Sequence, residues 1–160
     1  MKKPKARKSA AAAADANGKS ARRRRLLVVE DSESSRVMIC DHLRQEQFDY
    51  DEAENGAVAF EKAKAARFDL ILMDIKMPMM DGYEAMRRIR QWEQAGSLAR
   101  TPIIAFTASS FEEDVQRAID SGADLHVSKP VKKESLAAAI KSLIRGDAEQ
   151  SSVRRKHSAA

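Results

Sequence analysis

Apolar residues fall into two rhythms along this chain. Unbroken runs stand at Leu26 to Val29, Leu70 to Met73, Pro102 to Phe106 and Leu125 to Val127, with a weaker one at Tyr50 to Ala53. Between them, apolar residues recur every three or four positions. Val37, Ile39, Cys40 and Leu43 do so within Ser34 to Gln45, and Val58, Phe60 and several alanines within Gly56 to Ala66. Met86, Ile89 and Trp92 do so within Tyr83 to Glu93, and Val115, Ala118 and Ile119 within Phe111 to Ser121. The last such stretch, Lys132 to Arg145, carries Leu136, Ala139, Ile140, Leu143 and Ile144. Unbroken runs bounded by turn residues mark strands buried on both faces; the wider spacing marks helices with one buried face. Gly122 fits a helix stop.

Five strands and five helices thus alternate. That order predicts a parallel sheet with helices on both faces, joined by right-handed crossovers. At this size the expected α/β architecture is the flavodoxin-like five-stranded one, (βα)5. Such sheets bind ligands in the crevice beyond the carboxyl ends of their strands.

Charge changes the picture at the flanks. Residues 1–25 hold ten basic residues and one acidic, a net of +9, without apolar periodicity. They read as a disordered basic tail. Residues 26–145 carry a net of −5, and residues 146–160 read as a second, polar tail. The folded part is therefore acidic although the whole chain is +5. No apolar run reaches the length of a membrane span, so no transmembrane segment is expected. The basic start is followed only by Ala10 to Ala14, too weak for a signal-peptide core. The single cysteine, Cys40, reads as a small hydrophobe on a helix. One cysteine fits a reducing compartment, and a cytoplasmic location is expected.

Polar groups end four of the strands: Glu30 and Asp31 the first, Asp74 the third, Thr107 the fourth and Lys129 the fifth. A parallel sheet puts all of them on one edge. Three carboxylates there resist ionisation together, and a divalent cation resolves the conflict. Mg²⁺ takes hard oxygen ligands and keeps several waters. A lysine and a hydroxyl beside it suit a phosphoryl group. The set describes phosphorylation of an aspartate acting as nucleophile.

With Val29-Glu30-Asp31-Ser32, Met73-Asp74-Ile75-Lys76-Met77-Pro78-Met79-Met80-Asp81-Gly82, Phe106-Thr107-Ala108-Ser109 and Val127-Ser128-Lys129-Pro130, the chain resembles the receiver domain of two-component response regulators over residues 25–145. The resemblance implies that Asp74 accepts phosphate from a sensor histidine kinase or a histidine phosphotransfer protein. It implies Mg²⁺ bound by Asp31, Asp74 and the Lys76 backbone carbonyl, with Glu30 acting mainly through a water on the metal. Thr107 would hydrogen-bond the phosphoryl group and Lys129 would pair with it. Thr107 and His126 would be the switch residues, and the Lys129–Pro130 bond would be cis. His126 stands where the family often has Tyr or Phe. That choice, the long link from Gln94 to Thr101, Met86 to Arg90 and Phe111 to Asp114 all resemble receivers of hybrid histidine kinases.

Plainer readings are available for each residue. Glu30-Asp31 suits a helix N-terminus. Thr107 suits a helix cap, and Lys129 alone would be a solvated surface lysine. His126 would half-bury beside the fourth helix, and Met77, Met79 and Met80 would pack around a turn. Asn17-Gly18-Lys19-Ser20 is not a P-loop, because Ala13 stands where the first glycine is required. A haloacid-dehalogenase-type phosphatase would need a second aspartate where Lys76 stands.

The expectation is a stand-alone receiver, a phosphoacceptor and not an enzyme, with at most slow autophosphatase activity. Lys76 and Ser109, two beyond Asp74 and Thr107, offer no carboxylate or amide to orient water. Output would pass through a downstream protein partner or by onward phosphotransfer. A third reading is a phosphate sink for a shared kinase. The rival class is a phosphorylation-independent binding module working through residues 2–25. That tail would then meet nucleic acid, an anionic membrane or an acidic partner face, or serve only as a solubilising leader.

Overall fold

The five strands of the computed structural model, which describes residues 22–144, lie parallel in the order β2-β1-β3-β4-β5. They are β1 (Arg25–Val29), β2 (Asp49–Ala53), β3 (Leu70–Asp74), β4 (Ile103–Thr107) and β5 (Leu125–Ser128). The helices are α1 (Glu33–Gln45), α2 (Gly56–Ala65), α3 (Gly82–Ala95), α4 (Glu112–Ser121) and α5 (133–144). This is the expected (βα)5 alternation with the flavodoxin-like strand order. The tail 1–21 and the tail 145–160 lie outside the described residues, and with them the readings placed on those segments.

Alternation along each buried strand divides the core in two. Leu27, Val29, Ile71, Met73, Ile103 and Ala105 face α2, α3 and α4, where Ala59, Met86, Ile89 and Ala118 meet them. Leu26, Val28, Leu70, Leu72, Ile104 and Phe106 face α1 and α5, meeting Ile39, Leu43, Leu136 and Ile140. Full burial of each such Val, Leu, Ile, Phe or Met side chain stabilises by about 1.5–3 kcal/mol before chain entropy is subtracted. Cys40 is buried in the second layer, as its apolar character suggested.

Register carries the polar strand ends to one edge. Val29 pairs with Met73, Asp74 with Phe106, and Thr107 with Ser128. Two helices beside that edge start on side-chain caps. The Asn55 side chain accepts from the Val58 N–H at 2.9 Å, and that of Asp81 from Glu84 at 2.9 Å.

Three local expectations shift. β1 begins at Arg25, inside the segment read as tail, because Arg22 and Arg24 pair with Asp69 at 3.3 and 3.7 Å and Arg25 with Asp51 at 2.6 Å. α3 runs on to Ala95, which shortens the link before β4. The remainder of that link is bolted down: the Glu93 carboxylate accepts from the Thr101 N–H at 2.8 Å, and Arg90 donates to the Thr101 carbonyl at 2.8 Å. Third, Met79 is 89% exposed, whereas Met77 and Met80 pack against the core. Met79 takes a left-handed φ of 67°, which turns its side chain out of the loop.

Candidate functional site

Asp74 is the last residue of β3, and its carboxylate is 2% exposed. Lys129, just past β5, reaches it: Nζ lies 2.9 Å from Asp74 Oδ1 and 3.1 Å from Glu30 Oε2. Glu30 is 1% exposed, and its other oxygen accepts the Ser32 N–H at 3.1 Å. Asp31 is exposed at the rim. Carboxylate oxygens of Glu30, Asp31 and Asp74 all lie within 4.8 Å of one another. Four residues from three strand ends thus converge in one crevice, and Thr107 ends the neighbouring β4.

Two buried oxygens have no hydrogen-bond partner among the described residues, Asp74 Oδ2 and Thr107 Oγ1. Buried polar atoms are ordinarily paired, so each marks a place where another group is required. Burial is the main force that pushes the Asp74 carboxyl up to about 7; the Lys129 hydrogen bond opposes it and the Glu30 charge adds to it. Burial would pull the Lys129 ammonium down, but its hydrogen bonds and charge pairing with Asp74 and then Glu30 outweigh this and raise it. The electrostatic problem is plain: two buried carboxylates share one cation. An unpaired oxygen, three converging carboxylates and one insufficient ammonium fit a small hard divalent cation.

The turn after β3 is shaped by backbone contact. The Gly82 N–H donates to the Ile75 carbonyl at 2.8 Å, and a Cβ on Gly82 would overlap the Asp74 carbonyl oxygen. The Gly56 N–H donates to the Met80 carbonyl at 3.0 Å, where a Cβ would come within 2.6 Å of that oxygen. Both glycines let α2 and α3 clamp the loop that carries Lys76. Lys76 and Asp31 line an open groove of about 550 Å³ that runs from the crevice past Pro78 and Tyr83.

Thr107 is not a helix cap: α4 starts at Glu112 and its N-cap is Phe111. Its backbone carbonyl accepts the Lys129 N–H at 2.7 Å, tying two site residues together across β4 and β5. His126 is exposed rather than half-buried. It pairs in register with Ala105 on the edge strand, where α4 leaves its side chain open to solvent. The Lys129–Pro130 bond is cis. Sequence reasoning missed Arg36, which donates to the Glu30 carbonyl at 2.7 Å; its position one turn into α1 was the only available signal.

The sequence model of the response regulator receiver domain matches residues 26–141, and the chain belongs to that family. It is a receiver of the two-component, phosphorelay class. It is 46% identical over 96 residues to Probable histidine kinase 2 of Oryza sativa subsp. indica, a stretch that is 60% of this chain and 9% of that protein. The chain therefore spans less than a tenth of that relative. Its fold is similar to the receiver domain of Saccharomyces cerevisiae Ssk1, solved in complex with the histidine phosphotransfer protein Ypd1 (TM-score 0.70, 30% identity, 72% of this chain and 84% of that one). It is also similar to the receiver domain of sensor histidine kinase PA1611 from Pseudomonas aeruginosa PAO1, solved with a magnesium ion coordinated in its active-site cleft (TM-score 0.69, 32% identity, 77% and 98%). Among the described residues no helix is long and apolar enough to cross a membrane.

Proposed function

We propose that Asp74 is the phosphoacceptor of a phosphorelay switch. The observation that carries this reading is the buried Asp74 carboxylate, paired on one oxygen with Lys129 at 2.9 Å and, among the described residues, unpartnered on the other. A carboxylate oxygen attacks the phosphorus of a phosphohistidine. The new O–P bond forms as the N–P bond breaks, and the electron pair stays on the imidazole nitrogen. Lys129 then pairs with a phosphoryl oxygen, and the unpartnered Thr107 hydroxyl donates to another.

Asp31, Asp74 and the Lys76 carbonyl would hold Mg²⁺ directly, with Glu30 acting through a water. When bound, Mg²⁺ neutralises charge on the phosphoryl oxygens. The donor is a sensor histidine kinase or a histidine phosphotransfer protein, as with Ssk1 and Ypd1. Thr107 moves toward the phosphoryl group, and the neighbouring His126 changes rotamer, altering the surface of α4, β5 and α5 for a downstream protein. Hydrolysis of the phospho-aspartate is slow. Lys76 offers no water-orienting acceptor, and Ser109 offers neither a carboxylate nor an amide, its hydroxyl oxygen accepting the Phe111 N–H at 3.1 Å.

Intact-mass spectrometry after acetyl phosphate and Mg²⁺ tests the reading, on wild type and Asp74→Asn, with a phosphorylated histidine phosphotransfer protein as second donor. One phosphate on wild type alone is expected. No phosphate from either donor would overturn the reading, and so would equal labelling of Asp74→Asn.

A further inference from the structure

Arg117 lies on α4, and its guanidinium carbon sits 4.2 Å from the centre of the Tyr83 ring on α3. Tyr83 is 8% exposed, so the ring is a fixed platform. A guanidinium held over an aromatic face is pre-oriented yet keeps its N–H donors at the edge. Acidic residues stand within helical reach at Glu113, Asp114 and Asp120, but among the described residues Arg117 forms no ion pair and donates no hydrogen bond. The arginines of α3 differ. Arg87 and Arg88 pair with Glu84 at 3.0 and 2.7 Å, and Arg90 pairs with Glu93 and Asp124 at 2.7 and 2.9 Å.

Position gives this uncommitted cation its meaning. Arg117 lines the same groove as Asp31, Lys76, Pro78, Tyr83 and Asp114, the groove that opens from the phosphoacceptor crevice. An incoming phosphoryl donor carries negative charge and must approach Glu30, Asp31 and Asp74, which repel it. The cation inside the crevice, Lys129, is already engaged by two carboxylates. The planar fork of an arginine matches phosphoryl oxygens on two donors at once.

We propose that Arg117 is a donor-binding residue that captures the anionic phosphoryl group at the groove mouth and selects for doubly charged donors. The inference rests on Asp74 being the phosphoacceptor. It assigns to α4 a role in taking phosphate in, through a side chain held by α3.

The test measures the second-order rate of Asp74 phosphorylation at low salt and saturating Mg²⁺ for wild type, Arg117→Ala, Arg117→Lys and Tyr83→Leu. At neutral pH acetyl phosphate is a net dianion, and phosphoramidate, a zwitterion protonated on nitrogen, is a net monoanion. Arg117→Ala is expected to lose about tenfold with acetyl phosphate and much less with phosphoramidate, and to flatten the salt dependence of the rate. Arg117→Lys should recover part of the loss, because charge returns without the fork. Tyr83→Leu should fall between wild type and Arg117→Ala. Equal rates for wild type and Arg117→Ala would sink the inference and leave the Asp74 reading standing. An equal loss with both donors, accompanied by a lower melting temperature, would also overturn it, since that is what a purely structural contact gives. A wild type that takes phosphate from neither donor nor from a phosphorylated phosphotransfer protein would overturn both.

Discussion

Lys129 sits 2.9 Å from Asp74, and it also lies 3.1 Å from Glu30, so one ammonium answers two buried carboxylates. Replacing it by methionine keeps an unbranched apolar stem and removes the charge. Stranding a buried charge costs about 3–5 kcal/mol. Lys129→Met is therefore expected to unfold at lower urea at pH 8 without metal. Mg²⁺ should restore most of the loss and bind more tightly than to wild type, since its competitor is gone. Calorimetric titration gives the affinity; equal Mg²⁺ affinity in the two proteins would contradict the competition.

Asp74 makes stability depend on pH in a definite direction. Its carboxyl rises from an ordinary 3.8 to about 7 in the folded protein, chiefly through burial. The folded state thus holds the proton more tightly than the unfolded chain, and wild type loses stability as pH rises from about 4 to 7. Asp74→Asn removes that loss. Its advantage in metal-free urea unfolding should grow from pH 4 to pH 8, to at most about 4 kcal/mol at 1.36 kcal/mol per pH unit. Saturating Mg²⁺ should narrow it. A constant difference across the range would refute the account.

His42 gives the opposite slope. It is 5% exposed, neither ring nitrogen has a partner among the described residues, and burial lowers its pKa below 6.5. It is faced by Glu46 at the C-cap of its own helix and by Lys133, Glu134 and Lys141 from α5; Lys133 and Lys141 add to the burial effect, and together they outweigh Glu46 and Glu134. The unfolded chain takes up the proton first, so this contribution is lost as pH falls below about 6.5. His42→Leu should be more stable than wild type by about 1 kcal/mol at pH 7, with a wider margin at pH 5. Melting temperatures at the two pH values check this.

Gly82 is the steric hinge of the site. A Cβ there would overlap the Asp74 carbonyl and lie 2.9 Å from Ile75 Cα, both backbone and unable to yield. Gly82→Ala is expected to cost about 2–3 kcal/mol and to slow Asp74 phosphorylation, because relief must move the backbone of Asp74 itself. Unfolding curves and mass spectrometry on the same sample test both parts. Normal stability with normal labelling would show that the loop relaxes freely.

Arg90 holds the other end of the sheet. It donates to Glu93 at 2.7 Å, the Thr101 carbonyl at 2.8 Å, the Gly122 carbonyl at 2.8 Å and Asp124 at 2.9 Å. Glu93 is only 5% exposed. Arg90→Met should cost about 3–5 kcal/mol by leaving that buried carboxylate with the Thr101 N–H but no cation, while the extent of Asp74 labelling in folded protein stays at the wild-type level. A loss of labelling without a loss of stability would show that the network reaches the site.

The sequence alone determined the order of strands and helices, and it put each carboxylate, the threonine and the lysine at a strand end. Those features are local. A buried strand needs an unbroken apolar run such as Leu70 to Met73, and the residue that ends the run marks the edge of the core. The tertiary structure decided what each of those residues meets. Glu30 and Lys129 stand 99 positions apart, and only the sheet order brings them to 3.1 Å. Burial likewise depends on neighbours from other elements. This is why burial pushes the Asp74 carboxyl up, the Thr107 hydroxyl has no partner among the described residues, His126 stands in solvent and His42 does not. Tyr83 and Arg117 meet for the same reason: periodicity assigns a residue to a face of its own helix, and the packing of α3 against α4 decides what that face touches.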